Sequence, residues 1–416
     1  MAKTGVTNSK TDEMNKAQIL YYLKNTTGVV IGQHLGYDID SIESPTWPWN
    51  YTHVYTDLVA LTGKCPAMVA GQYGEEGNST ALGIHRMNTL LISHWIAGDL
   101  VQIEYVPKNP WTGGDPSDPY RTTLQDLLIP GTAHNAWIAE LNLAHAGLEE
   151  LRNAGIVVFW RPFPEMTYNG HAWWDAGNDW WLGGRSTTIA GFVALWRDMY
   201  ARFADLPNLI WVYGAANQDY CLPIDDMWPG DDVVDVGGFS MYQPAVLGDP
   251  FTKLALHNTI VAFTEFGRVP RDGTCDLLER LAVLNAYPQV KYVLHWHSWD
   301  ALTGLAAIVD QVNPIPYMNN VRAITRDKLS GYIPPTTPTA TISVSPLSLI
   351  GWWQTFTLTW ITTNATTAKI DRGIGNVALS GCKTIRPWRR GMFKYTITAT
   401  AVDGTTVRAS VTVTVK

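Results

Sequence analysis

Short apolar, β-branched runs alternate along most of the chain with longer stretches in which apolar residues recur every three or four positions. The short runs are Gly28 to Gly36, Pro66 to Gly74, Leu100 to Pro107, Ile156 to Glu165, Asn208 to Gly214, Val234 to Tyr242, Ile260 to Gly267 and Val290 to Trp299. Their near-continuous apolar character predicts strands buried on both faces of a parallel sheet. Between them, Trp137, Leu141, Ala144, Leu148 and Leu151 form one helical stripe, which Gly155 ends. Ile189, Phe192, Trp196, Met199 and Phe203 form a second stripe, and Leu277, Leu278, Leu281 and Leu284 a third. The alternation predicts an α/β fold. About eight strands, with no Gly-rich dinucleotide loop after the first, favour a (β/α)8 TIM barrel over an open doubly wound sheet.

The pattern changes at Ile333. Residues 333–339 read as an extended Pro/Thr linker between a barrel over 1–332 and an all-β segment over 340–416. In the last segment Ala340 to Val344, Thr355 to Trp360, Tyr395 to Ala401 and Val407 to Val415 alternate Thr and Val as strands do. The segment resembles the immunoglobulin-like sandwiches that trail bacterial secreted enzymes. Trp352, Trp353 and Trp388 leave open whether it binds carbohydrate or serves as a spacer.

Composition narrows the partners. A net charge of −7 argues against nucleic acid and anionic membrane surfaces. No apolar run is long enough for a membrane span, and the N-terminus lacks the apolar core of a signal peptide. Cys65, Cys221, Cys275 and Cys382 show no metal-like spacing, so no zinc is expected and no disulfide pairing is assigned. The 19 Trp and 18 Tyr stand out in a chain of which only 16% is charged. Flat rings with a polar edge stack on the apolar faces of sugars.

In a TIM barrel, functional side chains sit at the C-terminal ends of strands. Two carboxylates end apolar runs there: Glu165 in Trp160 to Met166 and Glu265 in Phe263 to Gly267. Each alone fits a structural ion pair. Two at one barrel mouth fit glycosidic bond cleavage, which needs a protonated carboxyl and an ionised one on either side of the bond. No Lys motif, phosphate loop or metal-ligand cluster points to another reaction.

These motifs, together with Gly32 to His34 on the first strand, Asn109-Pro110 after the third and a Trp on the eighth, resemble glycoside hydrolase family 26. The resemblance implies retaining hydrolysis with Glu165 as acid/base and Glu265 as nucleophile. It places Tyr242 beside the nucleophile and Trp296, with Trp299 as rival, under the reacting sugar. Arg161 is a candidate partner for a catalytic carboxylate. The chain departs from the family's mannanases at Pro164, Val106 and Ser240, where His, His and Asp are usual, and this bears on substrate more than on reaction.

Further sugar-contact candidates are Trp173, Trp174, His171, Asp175, Asn178, Trp180 and Trp181 after the fourth strand, Trp111 after the third, and Trp47 and Trp49 after the first. His34 and Glu104 lie at strand ends within reach of sugar hydroxyls. The expectation is a monomeric endo-β-glycanase acting outside the cell, needing no cofactor. β-1,4-Mannan is the first substrate expected. β-Glucan, β-xylan and bacterial exopolysaccharide are alternatives, as is a barrel that binds sugar without cleaving it.

Overall fold

The computed structural model describes residues 9–416 apart from 75–77, 119–122, 169–171, 176–184, 219–220, 258, 332–337, 350, 352, 364, 366 and 401–405. The chain divides into two compact units, Met1–Gly331 and Tyr332–Lys416. The linker expected at 333–339 falls largely outside the described residues.

The first unit is a closed parallel barrel of β1 (Val29–His34), β2 (Met68–Gly74), β3 (Leu100–Val106), β4 (Val158–Pro162), β5 (Leu209–Ala215), β6 (Val236–Met241), β7 (Ile260–Phe266) and β8 (Val290–His295). Each strand pairs in parallel with its neighbours, and β1 pairs with both β2 and β8, which closes the ring. A two-residue strand, Ala323–Ile324, adds to β1. Seven of the eight strands lie within the runs read from sequence, and β5 extends one residue past its run, to Ala215.

The register sets the chemistry. Gln72, Glu104 and Arg161 are successive partners across β2, β3 and β4, which aligns three polar side chains in one row. Ser240 and Glu265 are partners across β6 and β7.

The helices pack as their stripes require. Helix Thr132–Asn153 buries Trp137, Leu141, Ala144, Leu148 and Leu151, and also Gly147. A Cβ on Gly147 would come within 2.4 Å of Ile84, so glycine allows helix Ala81–Ile96 to approach. Helix Leu277–Ala286 departs from expectation: Leu278 is 40% exposed, and Arg280 is buried in its place. At 3.6 residues per turn, positions 277, 280, 281 and 284 share a face and 278 leaves it. The Arg280 guanidinium donates to the Gln243 and Gly267 carbonyls through Nη1 and to the Pro244 carbonyl through Nη2, which gives its two terminal nitrogens acceptors in the buried layer.

The second unit holds two small sheets. One is antiparallel, with strand Phe356–Thr363 between Thr339–Ser345 and Ser380–Ile385. The other is built on the long antiparallel pair Gly391–Thr400 and Thr406–Val415. Val344, Phe356, Leu358 and Trp360 from the first meet Ile370, Phe393, Ile397 and Val413 from the second in a separate core, which makes a sandwich. Trp353 and Trp388 are exposed, and Trp352 lies outside the described residues. All four cysteines are free thiols.

The barrel's outer layer near the mouth is aromatic. Trp137 is fully buried and meets the rings of Tyr105, Phe163 and Trp173. Trp137→Ala should destabilise the barrel by about 3–5 kcal/mol through the cavity it opens. Urea denaturation checks this, and a loss below about 1 kcal/mol would mean that the aromatic wall collapses to fill the space.

Candidate active site

Arg161, on β4, stands at the centre of the barrel mouth and is fully buried. Its Nη1 donates to Glu104 Oε2 and to Glu265 Oε1, each at 2.9 Å, and its Nη2 donates to Ser240 Oγ at 3.4 Å. β5 makes room for it: a Cβ on Gly214 would lie 2.3 Å from Arg161 Nε. The second oxygen of Glu265, Oε2, accepts from the Tyr242 hydroxyl at 2.8 Å. Glu265 thus has a donor on each oxygen, one of them cationic.

Glu165 is held differently. β4 ends at Pro162, and the chain turns sharply, with φ of 56° at Phe163 and 57° at Glu165. Both values fall in the left-handed region that non-glycine residues seldom occupy. The turn is pinned by the Glu165 N–H, which donates to the Gly214 carbonyl at 2.8 Å, and by Trp174 Nε1, which donates to the Pro164 carbonyl at 3.1 Å. Burial first, and then the charge of Glu265, push the Glu165 carboxyl up to about 7, against smaller opposing effects of Ser240, Arg161 and Arg271. The mouth therefore holds one carboxyl that keeps its proton toward neutral pH and another braced by two donors.

Both carboxyls line a cleft of about 450 Å3. Tyr242, Trp174, Trp296 and Trp299 line it too, so the structure brings both candidate floor residues to the site. Val106 and Pro164 are also in its wall. The sequence Gly32 to His34 acquires a physical reason here. Gln33 Nε2 donates to the carbonyls of His34 and Trp296 at 2.9 and 3.0 Å, tying the end of β1 to that of β8. His34 stacks under Trp296 with ring centres 4.2 Å apart.

Other expected sugar contacts lie elsewhere. Trp173 is fully buried, packs edge-on against Trp111 and Trp137, and donates to the Pro107 carbonyl, so no face is left for a sugar. Trp111 packs against Trp173 outside the cleft lining. His34 and Glu104 are fully buried behind the lining, as support for Trp296 and Arg161. Asp175 is also buried and accepts from the Ala172 N–H. Trp47 and Trp49 line a small separate hollow with Tyr37 and Trp299. His171, Asn178, Trp180 and Trp181 lie outside the described residues.

Sequence reasoning missed Tyr37, Gln72, Asp115, Ser117 and Arg271, which also line the cleft. Gln72 had a signal, a polar residue at an inward position of an apolar strand. Its buried amide finds no protein partner for either atom among the described residues, which suits a ligand hydroxyl. The other four sit on loops without periodicity. Among the described residues, no three His, Cys, Asp or Glu side chains cluster as a metal site would require.

The profile of glycosyl hydrolase family 26 matches residues 7–308. A mannan endo-1,4-beta-mannosidase of Bacillus subtilis is 30% identical over 260 residues, spanning 58% of this chain and 68% of that protein. The structure of Bacillus subtilis mannanase BCman superposes with a TM-score of 0.62 at 22% identity, covering 76% of this chain and 93% of that one. A modular endo-beta-1,4-mannanase from Cellulomonas fimi gives a TM-score of 0.61 at 18% identity, covering 97% of this chain and 98% of that one. At these identities the structural likenesses speak for the fold, while the profile covers most of the chain and the whole barrel mouth: the chain belongs to glycosyl hydrolase family 26 and is a glycoside hydrolase.

Proposed function

We propose that the chain is a retaining endo-β-1,4-mannanase, with Glu265 as nucleophile and Glu165 as general acid/base. The observation that carries this reading is the opposite treatment of two carboxyls in one cleft. Glu265 is held by Arg161 and Tyr242, while Glu165 is kept protonated by burial and by its neighbour's charge. In the first step a Glu265 oxygen attacks the anomeric carbon. The glycosidic bond breaks, and Glu165 passes its proton to the departing oxygen. Glu165, now ionised, takes a proton from water, which attacks the same carbon and frees Glu265. Arg161 and Tyr242 steady the negative charge that Glu265 loses in the first step and regains in the second. Trp296 is the platform on which the reacting sugar stacks.

Mannan as substrate is supported by the relatives named mannan endo-1,4-beta-mannosidase. Another β-glycan is favoured by one observation: Val106 and Pro164 put apolar surface into the cleft wall at positions where His residues are expected. On either reading the partner is a polysaccharide met outside the cell by a monomer, with no nucleic-acid or membrane partner. The C-terminal sandwich is taken as an immunoglobulin-like spacer.

The first experiment counts reducing ends released from mannan, glucomannan, galactomannan, mixed-linkage glucan, xylans and cellulose by wild type and by Glu265→Ala. Wild type should act on the mannans, and the variant should be slower by roughly 10⁴-fold or more. Equal rates would remove Glu265 from the mechanism, and activity on xylan or glucan alone would remove mannan.

The pH profile tests the acid. Glu165 is raised to about 7, so its proton is present below that pH and is lost as pH rises through it. Activity should therefore decline above about pH 7. Burial also raises Glu104 to about 7, so Glu104→Gln separates the two groups. The decline should persist in that variant. In Ser240→Ala it should move to higher pH, because the Ser240 hydrogen bond favours ionised Glu165. A profile that becomes flat above neutrality in Glu104→Gln would take the acid role from Glu165.

A further inference from the structure

Arg271 follows β7 and is the one basic side chain among the described residues lining the cleft. Its guanidinium carbon lies 5.4 Å from the centre of the Tyr242 ring and 5.0 Å from that of Trp299. Two aromatic faces thus hold the cation, since ring quadrupoles attract a guanidinium within about 6 Å. Its backbone is fixed as well, because its carbonyl accepts from the Leu305 N–H at 2.9 Å. Neighbouring arginines are occupied: Arg268 pairs with Glu279, and Arg280 is spent on three carbonyls. Arg271 makes no ion pair with a described carboxylate.

A half-buried guanidinium without an acceptor among the described residues is arranged to meet an acceptor on a ligand. Its planar fork matches a carboxylate with two parallel hydrogen bonds, whereas a neutral sugar hydroxyl uses one. Asp115 and Glu265 line the same cleft and would repel a polyanion. The favoured ligand therefore carries one negative charge, at the Tyr242 and Trp299 end, beside otherwise neutral sugars.

We propose that Arg271 is a receptor for a single sugar carboxylate, so that the enzyme acts on β-glycans bearing occasional uronate residues. This rests on the glycanase reading of the cleft. It also links binding to chemistry. The Arg271 charge draws on the Glu165 proton, and a carboxylate seated on Arg271 cancels that pull, leaving the acid more firmly protonated.

The test uses β-1,4-mannan oligosaccharides of equal length, neutral or oxidised to the acid at C6 of one residue. For Arg271→Gln, the ratio of kcat/KM on the oxidised to the neutral ligand should fall roughly tenfold to a hundredfold from the wild-type ratio. Arg271→Lys should fall between, keeping the charge and losing the fork. With wild type the alkaline decline should sit at higher pH on the oxidised ligand, and Arg271→Gln should abolish that difference. An unchanged ratio would overturn the proposal. Absence of hydrolysis by wild type would count against the mannanase reading, and the proposal would then be decided by calorimetry on Glu265→Gln protein. A salt-sensitive preference for the oxidised ligand that Arg271→Gln removes supports it, and no such preference overturns it.

Discussion

The barrel mouth is organised around one guanidinium. A buried arginine is tolerated only when its charge is matched and its N–H groups find acceptors. Arg161 meets most of that demand, with Glu104 and Glu265 on Nη1 and Ser240 on Nη2, while its Nε finds no acceptor among the described residues. The two carboxylates are not equivalent partners. Burial pushes Glu104 up to about 7, against the pull of the Arg161 charge and the hydrogen bonds that its two oxygens accept from Gln102 and Arg161. Glu104, sealed behind the cleft, aims the guanidinium, and Glu265, in the cleft wall, is the carboxyl that the guanidinium presents to the ligand. Gly214 belongs to the same constraint, because any side chain there would occupy the space of Arg161 Nε.

The turn after β4 shows how the fold supports the second carboxyl. Two left-handed, non-glycine residues flanking a proline, Phe163 and Glu165, cost on the order of 1–3 kcal/mol each. The strain persists because Phe163 is locked among Trp137, Trp173, Trp174 and Phe192. The aromatic wall therefore has a use beyond apolar burial. It forces Glu165 out of the strand direction and toward Glu265, while Gly214 receives its N–H.

This explains which features were legible in sequence. The eight strands and the stripe from Trp137 to Leu151 were visible because burial imposes a period on the chain. Both Glu residues could be placed because strand ends are visible in the same way. The abundance of Trp was legible only as a total. Trp173 and Trp174 are adjacent and chemically identical, yet one is sealed in the wall and the other lines the cleft, and only the loop's path decides between them. Arg280 taking the place of Leu278 reflects three carbonyls gathered from different segments, which no local pattern announces. Arg271 was hidden for the same reason, since its aromatic partners come from β6 and β8 loops.

The histidines complete the electrostatic design by staying neutral. Burial pushes His295 and His297 down to about 3 and His34 well below its ordinary value, with His297 and Arg161 adding to the effect on His34. The Gly36 N–H donates to His34 Nδ1, and His297 Nδ1 lies 3.0 Å from the same atom. That atom is therefore an acceptor, and His297 donates to it through its own Nδ1–H. A proton added to His34 Nδ1 would take the lone pair that both donors share, inside a buried layer beneath Trp296. Behind the mouth, the range in which histidine usually titrates is thus left to the carboxyls Glu104 and Glu165. This matters for Glu165, because a cation forming under Trp296 near neutrality would stabilise its ionised form and discharge the acid just where the cleft needs it protonated.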